Sequence, residues 1–319
     1  MKRILVTGAA GFIGHHLCRY LKSQGHSVMG VDWKEPEYGR DDFSSFMKLD
    51  LRDYDNCIEI TKGRDEVYAL AADMGGMGFI MDPTKKALII NNNARINCNM
   101  IEAARLNGVK KYLFTSSACI YPNYKQQETD IKPLKEEDAY PADPQDTYGW
   151  EKLMTEQMVM AYEQSYGMDV RIVRFHNIYG PEGTWQGGRE KAPAALCRKV
   201  IEAIKKGKWE IEIWGDGEQT RSFCYIDDCI KGLQLVMDWN YTHPVNLGRN
   251  DMISINHLAD IICEIAGIKL KYRHIEGPIG VRGRNSDNSL FKQLYKWEPE
   301  VSMADGLRRT YEWIKIQMS

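Results

Sequence analysis

The stretch Val6-Thr7-Gly8-Ala9-Ala10-Gly11-Phe12-Ile13-Gly14 decides the fold of this chain. It joins an apolar predicted strand, Arg3–Thr7, to a predicted helix that begins at Phe12. Glycines at this GxxGxxG spacing permit a tight turn, close approach of the backbone to a pyrophosphate, and close packing of the helix on the strand. The helix N-terminus turns its amides and its positive dipole end toward the phosphates. The stretch therefore predicts a dinucleotide site that involves Gly8, Gly11, Phe12, Ile13 and Gly14.

Outward from this stretch, apolar strands alternate with helices through the first half of the chain. The predicted strands are Arg3–Thr7, Ser27–Asp32, Phe46–Asp50, Glu66–Ala71, Lys110–Ser116 and Asp169–Arg174. The predicted helices are Phe12–Gln24, Pro83–Asn107 and Asp146–Tyr166, and each is followed by a glycine that suits a helix C-terminus. This alternation predicts an α/β fold, with a Rossmann-type doubly wound parallel sheet covered by helices on both faces.

The pattern changes from Asn177 onward. A loop rich in glycine leads to a predicted helix, Pro193–Lys206, and Asp216-Gly217 between two β-like runs predicts a hairpin. Further helices are predicted at Asp227–Met237, Ser254–Ala266 and Ala304–Ile316. We expect a dinucleotide-binding domain of residues 1–176, to which residues 224–248 or thereabouts return, and a smaller, discontinuous α/β substrate domain of residues 177–223 and 249–319.

Two aspartates indicate how the dinucleotide is recognised. Asp32 ends the second predicted strand, where a carboxylate meets the adenosine ribose in dinucleotide-binding folds. Because Asp32 would repel a 2′-phosphate, we predict NAD as the cofactor, although Arg3, Lys34 and Arg40 leave NADP open. Asp50, which ends the third predicted strand, is expected near the adenine.

Tyr148 and Lys152 lie one turn apart on a predicted helix, so their side chains share one face. Tyrosine, with a pKa of about 10, is a poor base at neutral pH. A nearby ammonium favours the phenolate, lowers that pKa and makes the phenol a usable proton acceptor. Beside a nicotinamide, this pair predicts the oxidation of an alcohol.

Two predicted strand exits carry further candidates, because ligands of open α/β sheets lie beyond the carboxyl ends of the strands. Residues 70–78 are rich in glycine, which lets the backbone approach a ligand closely. Residues 116–122 bring a hydroxyl, Ser117, and a thiol, Cys119. We expect Ser117 to hydrogen-bond the substrate hydroxyl that Tyr148 deprotonates. For Cys119, a catalytic role and a role as a small buried side chain both remain open.

Basic residues recur in the second half. Each alone is typical of a solvated surface, but together they indicate a substrate with a diphosphate, which arginine binds through paired charge-assisted hydrogen bonds. The residues concerned are Lys191, Lys199, Arg221, Arg282 and Arg284.

Composition excludes several classes of protein. A net charge of −2 disfavours a general nucleic-acid binder, and no apolar run approaches the length of a membrane span. The eight cysteines form no CxxC pair, and the spacing of Cys224 and Cys229 does not suit zinc, so we predict no metal site and reduced thiols. With a strand predicted close to Met1 and no room for a signal peptide, we expect a cytoplasmic enzyme.

These motifs resemble the extended short-chain dehydrogenase/reductases that modify nucleotide-diphosphate sugars, and within them the GDP-mannose 3,5-epimerases. The most specific matching runs are Ala71–Gly78 and Gly188–Pro193, and other matching runs span nearly the whole chain. The segment Met81–Ala87 departs from the family pattern, which puts a loop or a dimer contact in doubt.

The resemblance implies a reaction and a set of site residues. Tyr148, with Lys152 and Ser117, takes the proton of the C4 hydroxyl while hydride passes to NAD. The transient 4-ketone acidifies C3 and C5, which Cys119 and Lys191 invert as base and acid in an order the sequence leaves open, and the hydride returns to C4. The implied substrate-binding residues are Gly75, Ser117, Ala118, Cys119, Asn177, Glu190, Lys191, Ala192, Lys199, Gln219, Thr220, Arg221 and Arg284. Family members are commonly homodimers, with Pro83–Asn107 and Asp146–Tyr166 as the expected contact.

Rival functions share part of this apparatus. A 4-epimerase needs Tyr148 and Lys152 but neither Cys119 nor Lys191, whereas a 4,6-dehydratase needs a carboxylate near the position of Cys119. A non-catalytic NAD-binding protein would keep the glycines without needing the Tyr-Lys pair.

Overall fold

The structure, a computed structural model, describes residues 1–319 and contains fourteen strands in four sheets. The strands are β1 Arg3–Thr7, β2 Ser27–Asp32, β3 Ser45–Lys48, β4 Glu66–Ala69, β5 Lys111–Ser117, β6 Val170–Phe175, β7 Ile178–Tyr179, β8 Glu210–Trp214, β9 Thr220–Arg221, β10 Cys224–Tyr225, β11 Pro244–Leu247, β12 Ile253–Ser254, β13 Lys271–Ile275 and β14 Gly283–Arg284.

Ten α-helices accompany these strands. They are α1 Phe12–Ser23, α2 Tyr54–Thr61, α3 Met77–Ile80, α4 Lys86–Leu106, α5 Thr147–Tyr166, α6 Ala192–Lys205, α7 Ile226–Asp238, α8 Ile255–Ala266, α9 Ser289–Tyr295 and α10 Met303–Gln317. No helix has both the length and the apolar character that a membrane crossing requires.

The central sheet has seven parallel strands in the order β11-β6-β5-β4-β1-β2-β3. The chain builds outward from β1 in one direction and then from β4 in the other. The order therefore reverses between β1 and β4, and the crevice at such a switch point is where open α/β sheets bind ligands. This is the predicted Rossmann-type doubly wound sheet.

Alternation along the strands separates two layers of core. Ile4 and Val6 belong to the buried cluster that includes residues of α1 and α7, whereas Leu5 belongs to the cluster with residues of α2 and α4. Successive side chains of a strand point to opposite faces, so a strand that is apolar throughout is buried on both sides. The sheet is therefore covered by helices on both faces.

The hairpin predicted at Asp216-Gly217 is wrong. A turn does occur there, with Gly217 at φ 75, but the strands before and after it belong to different sheets. Strand β8 pairs in parallel with β13, and β9 lies between β12 and β14. The partners come from distant parts of the chain, and a local turn signal carries no information about them.

Other differences are local. The short helices α2, α3 and α9 were not predicted, and α4 begins at Lys86 rather than at Pro83. The side chain of Asp82 accepts hydrogen bonds from the amide and the hydroxyl of Thr84, which holds that segment in a separate turn. Strands β3 and β4 end earlier than predicted, at Lys48 and Ala69.

A buried ion pair ties α5 to the sheet behind the candidate site. Arg174 of β6 binds Glu156 of α5 at 2.7 Å, and both side chains are buried. Glu156 also accepts a hydrogen bond from the Ser116 hydroxyl on β5, and Arg174 donates one to the Tyr121 hydroxyl at 3.2 Å. These contacts fix the helix that carries Tyr148 against the strand that ends at Ser117.

Candidate active site

One cavity of about 920 Å³ lies at the switch point and holds nearly all the predicted site residues. Its walls come from the glycine turn after β1, the exits of β4 and β5, the start of α5, and the second half of the chain. The cavity therefore joins the predicted dinucleotide site to the predicted substrate site.

The glycine turn has the shape that a bound pyrophosphate requires. Gly8 has φ +68, and a Cβ on Gly14 would lie 2.2 Å from the Gly8 carbonyl oxygen, so only glycine permits helix α1 to start this close to β1. No backbone carbonyl accepts a hydrogen bond from the amides of Phe12, Ile13 or Gly14. Three free amides at a helix N-terminus suit an anion, so the residues present fit a dinucleotide.

The two predicted aspartates line the same cavity but differ in their contacts. Asp32 is buried, and its oxygens accept from the amides of Ala10 and Lys34, which fixes the carboxylate at the end of β2. Burial raises the pKa of Asp32. Asp50 is half-exposed and is bound by Arg52 at 2.6 Å. Of the basic residues that left NADP open, Arg3 pairs with Asp65 and does not line the cavity.

Helix α5 brings Tyr148 and Lys152 to the cavity. Asp146 caps the helix by accepting from the Gly149 amide at 2.8 Å, which places Tyr148 in the first turn. Both side chains are buried, and the Lys152 ammonium donates to the Thr115 carbonyl at 3.0 Å. The ammonium lies 5.7 Å from the centre of the Tyr148 ring. Two of the cavity's reactive groups thus rest on one rigid helix.

The pKa of Tyr148 departs from the sequence-based expectation. Burial raises it above that of free tyrosine, the nearby charges of Cys119, Glu151 and Asp146 act in the same direction, and a hydrogen bond with Ser117 opposes them. Lys152 is itself desolvated, which lowers its own pKa. In the chain alone, burial and these charges therefore outweigh the hydrogen bond with Ser117.

Cys119 lies beside Tyr148 because the backbone allows close approach. Ser117 ends β5, and its side chain accepts from the Cys119 amide at 3.2 Å to cap the 3₁₀ turn Ala118–Ile120. A Cβ on Gly149 would lie 2.2 Å from the Cys119 carbonyl oxygen. The thiol is buried, and Arg284 Nη1 donates to its Sγ at 3.3 Å.

Lys191 enters the cavity on a loop that is tied to the first half of the chain. The Gly76 amide donates to the Arg189 carbonyl at 3.0 Å, and the Arg189 guanidinium lies 3.7 Å from the centre of the Phe79 ring. Arg189 also pairs with Asp73 at 3.1 Å. Burial lowers the pKa of Lys191, and the neighbouring thiol of Cys119 partly offsets this. The loop holds Lys191 in the same cavity as Cys119.

Several cations of the cavity wall make no ion pair, whereas Arg198 at the rim binds Glu190 at 2.9 Å. Lys152, Lys199 and Arg221 donate instead to backbone carbonyls, and Arg284 donates to the Cys119 sulfur and to the Gln126 amide oxygen. Burial and the neighbouring Arg284 lower the pKa of Arg221. Such a set of cations suits an anionic ligand. These crevice cations are Lys152, Lys191, Lys199, Arg221 and Arg284.

Most of the remaining predicted residues also line the cavity. Those that do are Gly75, Ala118, Asn177, Glu190, Ala192 and Gln219. Thr220 does not: its hydroxyl donates to the Thr129 carbonyl, because alternation along β9 turns it away from Arg221. Arg282 pairs with Asp216 at 2.7 Å outside the cavity.

Sequence reasoning missed three residues of this region. Arg189 and Trp214 line the cavity, and the Lys199 ammonium lies 5.9 Å from the centre of the Trp214 ring. Gln126 binds Arg284 from behind the cavity wall. The aromatic residue at the end of an apolar run was the one available signal for Trp214. No spacing rule points to Gln126.

Comparison with known proteins shows which family and which enzymes this chain resembles. The family model described as the NAD dependent epimerase/dehydratase family matches residues 4–248. GDP-mannose 3,5-epimerase 1 of Oryza sativa subsp. japonica is 51% identical over 318 residues, which cover 99% of this chain and 82% of that protein.

Solved structures are similar over the same length. A UDP-glucose 4-epimerase from Thermotoga maritima, with UDP-glucose, has a TM-score of 0.87 at 26% identity and covers 99% of both chains. A UDP-glucuronic acid 4-epimerase from Bacillus cereus, in complex with UDP-glucuronic acid and NAD, has a TM-score of 0.83 at 27% identity, again over 99% of both chains. The similarity includes both the dinucleotide half and the second half of this chain.

The contact at Gly149 gives a testable prediction. In Gly149→Ala, the added methyl meets backbone and must push α5 away from the turn of Cys119, so we expect a loss of about 1–3 kcal/mol in the free energy of unfolding. Chemical denaturation measures this loss. Gln164→Ala, at an exposed position of the same helix, is the control and should change stability little. Equal stability of Gly149→Ala and the native chain would contradict the contact.

Proposed function

We propose that this chain, which belongs to the NAD-dependent epimerase/dehydratase family, inverts GDP-mannose at C3 and C5. The product is GDP-L-galactose, with GDP-L-gulose as the partly inverted sugar. The identity of 51% to a GDP-mannose 3,5-epimerase over nearly the whole chain supports the substrate. The observation that carries the proposal is the presence of Tyr148, Cys119 and Lys191 in one cavity, whose crevice cations suit a diphosphate.

The cofactor of the proposed reaction is NAD, which supplies, when bound, an acceptor for hydride from C4 and returns that hydride after the inversions. The free amides after the glycine turn would hold its pyrophosphate, and Asp32 and Asp50 would hold its adenosine end. Asp32, fixed by the amides of Ala10 and Lys34, favours a free ribose hydroxyl over a phosphate.

Tyr148 begins the chemistry at the C4 hydroxyl. As the phenolate, it takes the hydroxyl proton, and Ser117, at the end of β5, holds the same hydroxyl in place. Lys152, anchored to the Thr115 carbonyl, supplies positive charge next to the phenol. This arrangement supports the Tyr-Lys pair as the apparatus of C4 oxidation.

Cys119 and Lys191 carry out the inversions. Arg284 only donates hydrogen bonds, so the Cys119 sulfur accepts, and an accepting sulfur is suited to take a proton from the carbons next to the C4 carbonyl. Lys191, whose pKa burial lowers, is suited to give a proton from the other face. We therefore assign Cys119 as the base and Lys191 as the acid.

Two of the remaining crevice cations, Lys199 and Arg221, bind the diphosphate, and the third, Arg284, lies against the Cys119 thiol. Lys199, Arg221 and Arg284 lie in the wall formed by the second half, and the dinucleotide half supplies the other part of the cavity. We assign residues 1–176 with 224–248 to NAD and residues 177–223 with 249–319 to the nucleotide sugar; in support, β11 lies in the central sheet.

Rival reactions leave parts of the site idle. A 4-epimerase gives Cys119 and Lys191 nothing to do. A 4,6-dehydratase needs an acid at the position of Cys119, but the side chain bound to that thiol is Arg284. A non-catalytic NAD-binding protein does not account for a buried Tyr-Lys pair and the five crevice cations in the same cavity.

We also propose a cytoplasmic homodimer. The outer face of α5 exposes Trp150, Met154, Gln157 and Ala161 at helical spacing, and neighbouring α4 exposes Leu88. A largely apolar helix face of this kind is typical of a contact between subunits, and the second copy of this chain supplies a matching face. The eight free cysteines are in keeping with a reducing compartment.

Separating the two halves of the reaction tests the proposed function. The native enzyme with GDP-mannose in heavy water should form GDP-L-galactose with deuterium at C3 and C5, as read by NMR. Cys119→Ala should keep part of the C4 oxidation, seen as reduced nicotinamide, and lose about 10²–10⁴-fold in deuterium exchange. Cys98→Ser, at an exposed thiol, is the control. An unchanged sugar with the native enzyme refutes the function, and full exchange by Cys119→Ala refutes the role of the thiol.

The pH dependence tests Lys191. Its ammonium is the proton donor, and burial lowers its pKa, so exchange should decline as pH rises at values below the ~10.4 of a free lysine. Lys191→Arg, which stays protonated, should be slow and should lack this alkaline decline. The readout is the rate of deuterium exchange against pH. A decline that begins only above the range of free lysine excludes Lys191 as the acid.

Sedimentation tests the dimer. Met154→Glu places two like charges in the proposed contact and should shift the enzyme toward the monomer, whereas Gln164→Glu, exposed near the end of the same helix, should not. Analytical ultracentrifugation distinguishes the two states. A native enzyme that sediments as a monomer at all concentrations contradicts the proposed contact.

A further inference from the structure

Gln126 is a fully buried amide that lies directly behind the cavity wall. Its Nε2 donates to the Tyr121 carbonyl at 3.0 Å and to the Pro122 carbonyl at 3.2 Å. Its Oε1 accepts from Arg284 Nε at 2.7 Å. One side chain thus joins the segment that follows Cys119 to the arginine that contacts Cys119.

The orientation of this amide is fixed by its partners. Two carbonyl oxygens require a donor at one end, and a guanidinium requires an acceptor at the other, so reversing the amide would bring like groups together at both ends. A buried amide with every partner in place is rigid, and losing one partner leaves the others unsatisfied. Gln126 therefore holds the Arg284 side chain in a defined position.

The backbone of Gln126 also binds the two residues that precede Arg284. The Gln126 carbonyl accepts from the amides of Arg282 at 2.9 Å and Gly283 at 3.3 Å. A Cβ on Gly283 would lie 2.3 Å from the Glu128 carbonyl, so β14 runs directly against this segment. Gln126 therefore binds both the strand that carries Arg284 and the Arg284 guanidinium itself.

Arg284 makes no ion pair, and its Nη1 donates to Cys119 Sγ at 3.3 Å. A guanidinium with a carboxylate partner would offer less charge to the sulfur, whereas an amide oxygen orients the guanidinium without neutralising it. The neutral amide oxygen of Gln126 therefore orients Arg284 in a way that a carboxylate could not. It keeps the full positive charge of Arg284 available at the thiol.

We propose that Gln126 is a positioning residue, which holds the Arg284 guanidinium against the Cys119 thiol and so sets the rate of proton removal at C3 and C5. This inference rests on the proposed function for its last step. Its first step, the effect of Gln126 on the reactivity of Cys119, requires no substrate.

The test uses Gln126→Met, which matches the shape of glutamine and makes none of its hydrogen bonds. Gln127→Met is the matched control, because the neighbouring side chain is exposed and binds only the Asn123 carbonyl. Alkylation of Cys119 by iodoacetamide in the full-length enzyme is followed by mass spectrometry of the peptide across a range of pH. Deuterium exchange at C3 and C5 and reduction of the nicotinamide are measured on the same samples.

For Gln126→Met we expect the pH of half-maximal alkylation to rise by about one unit, because the guanidinium no longer stabilises the anionic sulfur. Deuterium exchange should fall roughly tenfold or more, while nicotinamide reduction changes little. Gln127→Met should behave as the native enzyme in all three measurements. A merely structural role for Gln126 would lower all rates together and leave the pH of alkylation unchanged.

A second variant guards against misfolding. Gln126→Asn keeps the amide but is one methylene shorter, so it cannot span both partners, and it replaces Gln126→Met if thermal unfolding shows that the latter is not folded. Gln126→Glu keeps the acceptor for Arg284 but adds negative charge, and should raise the pH of alkylation further. Native alkylation in the folded variants overturns the proposal. If alkylation shifts but the native enzyme exchanges no deuterium, the proposed function fails and the positioning role stands.

Discussion

Residue 149 must lack a side chain for helix α5 to lie against the turn that carries Cys119. The Cys119 carbonyl occupies the place where a Cβ would be, at 2.2 Å, and no movement of a flexible side chain can relieve contact with backbone. Tyr148 precedes this point and Lys152 follows it by one turn. The buried pair of Arg174 and Glu156 then fixes the rest of the helix to the sheet. The proposed oxidation at C4 and the proposed proton transfer at its neighbours thus share one rigid frame.

The second constraint is electrostatic. Removing a cation from water costs free energy unless hydrogen bonds replace the lost hydration, and burial without an anion lowers the pKa of the group. The carbonyls of Thr115, Glu212 and Val281 meet that need for Lys152, Lys199 and Arg221. These dipoles leave the positive charge uncancelled. The cavity therefore suits an anion. Part of the free-energy cost of burying these cations is offset only when the nucleotide sugar is bound.

The sequence predicted the first half of the fold well because its signals are local. A glycine ends α1 and α5 within a residue or two of the predicted positions, and apolar strands buried on both faces are easy to recognise. The pairing of β8 with β13 has no local signal, and the turn at Gly217 pointed to the wrong partner. The short helix α3 lies in a glycine-rich exit that favours no element by composition.

The site divides in the same way. Tyr148, Lys152 and Cys119 could be predicted as site residues from the sequence, because their chemistry is evident from residue type, spacing and position. The raised pKa of Tyr148 was not foreseen, because it depends on how deeply the phenol is buried. Gln126 carries no chemistry of its own, and its importance follows only from the three groups that it joins in space. Supporting residues of this kind become visible only when the fold is known.

The crevice cations have one more consequence, for how the nucleotide sugar arrives. The whole chain carries a net charge of −2, so its distant field does not attract a polyanion, and attraction begins only at the mouth of the cavity. Long-range steering is screened by salt over roughly 8 Å, whereas contacts inside a desolvated cleft are screened much less. We therefore expect ionic strength to leave the association rate nearly constant and to have little effect on how long the sugar nucleotide stays bound.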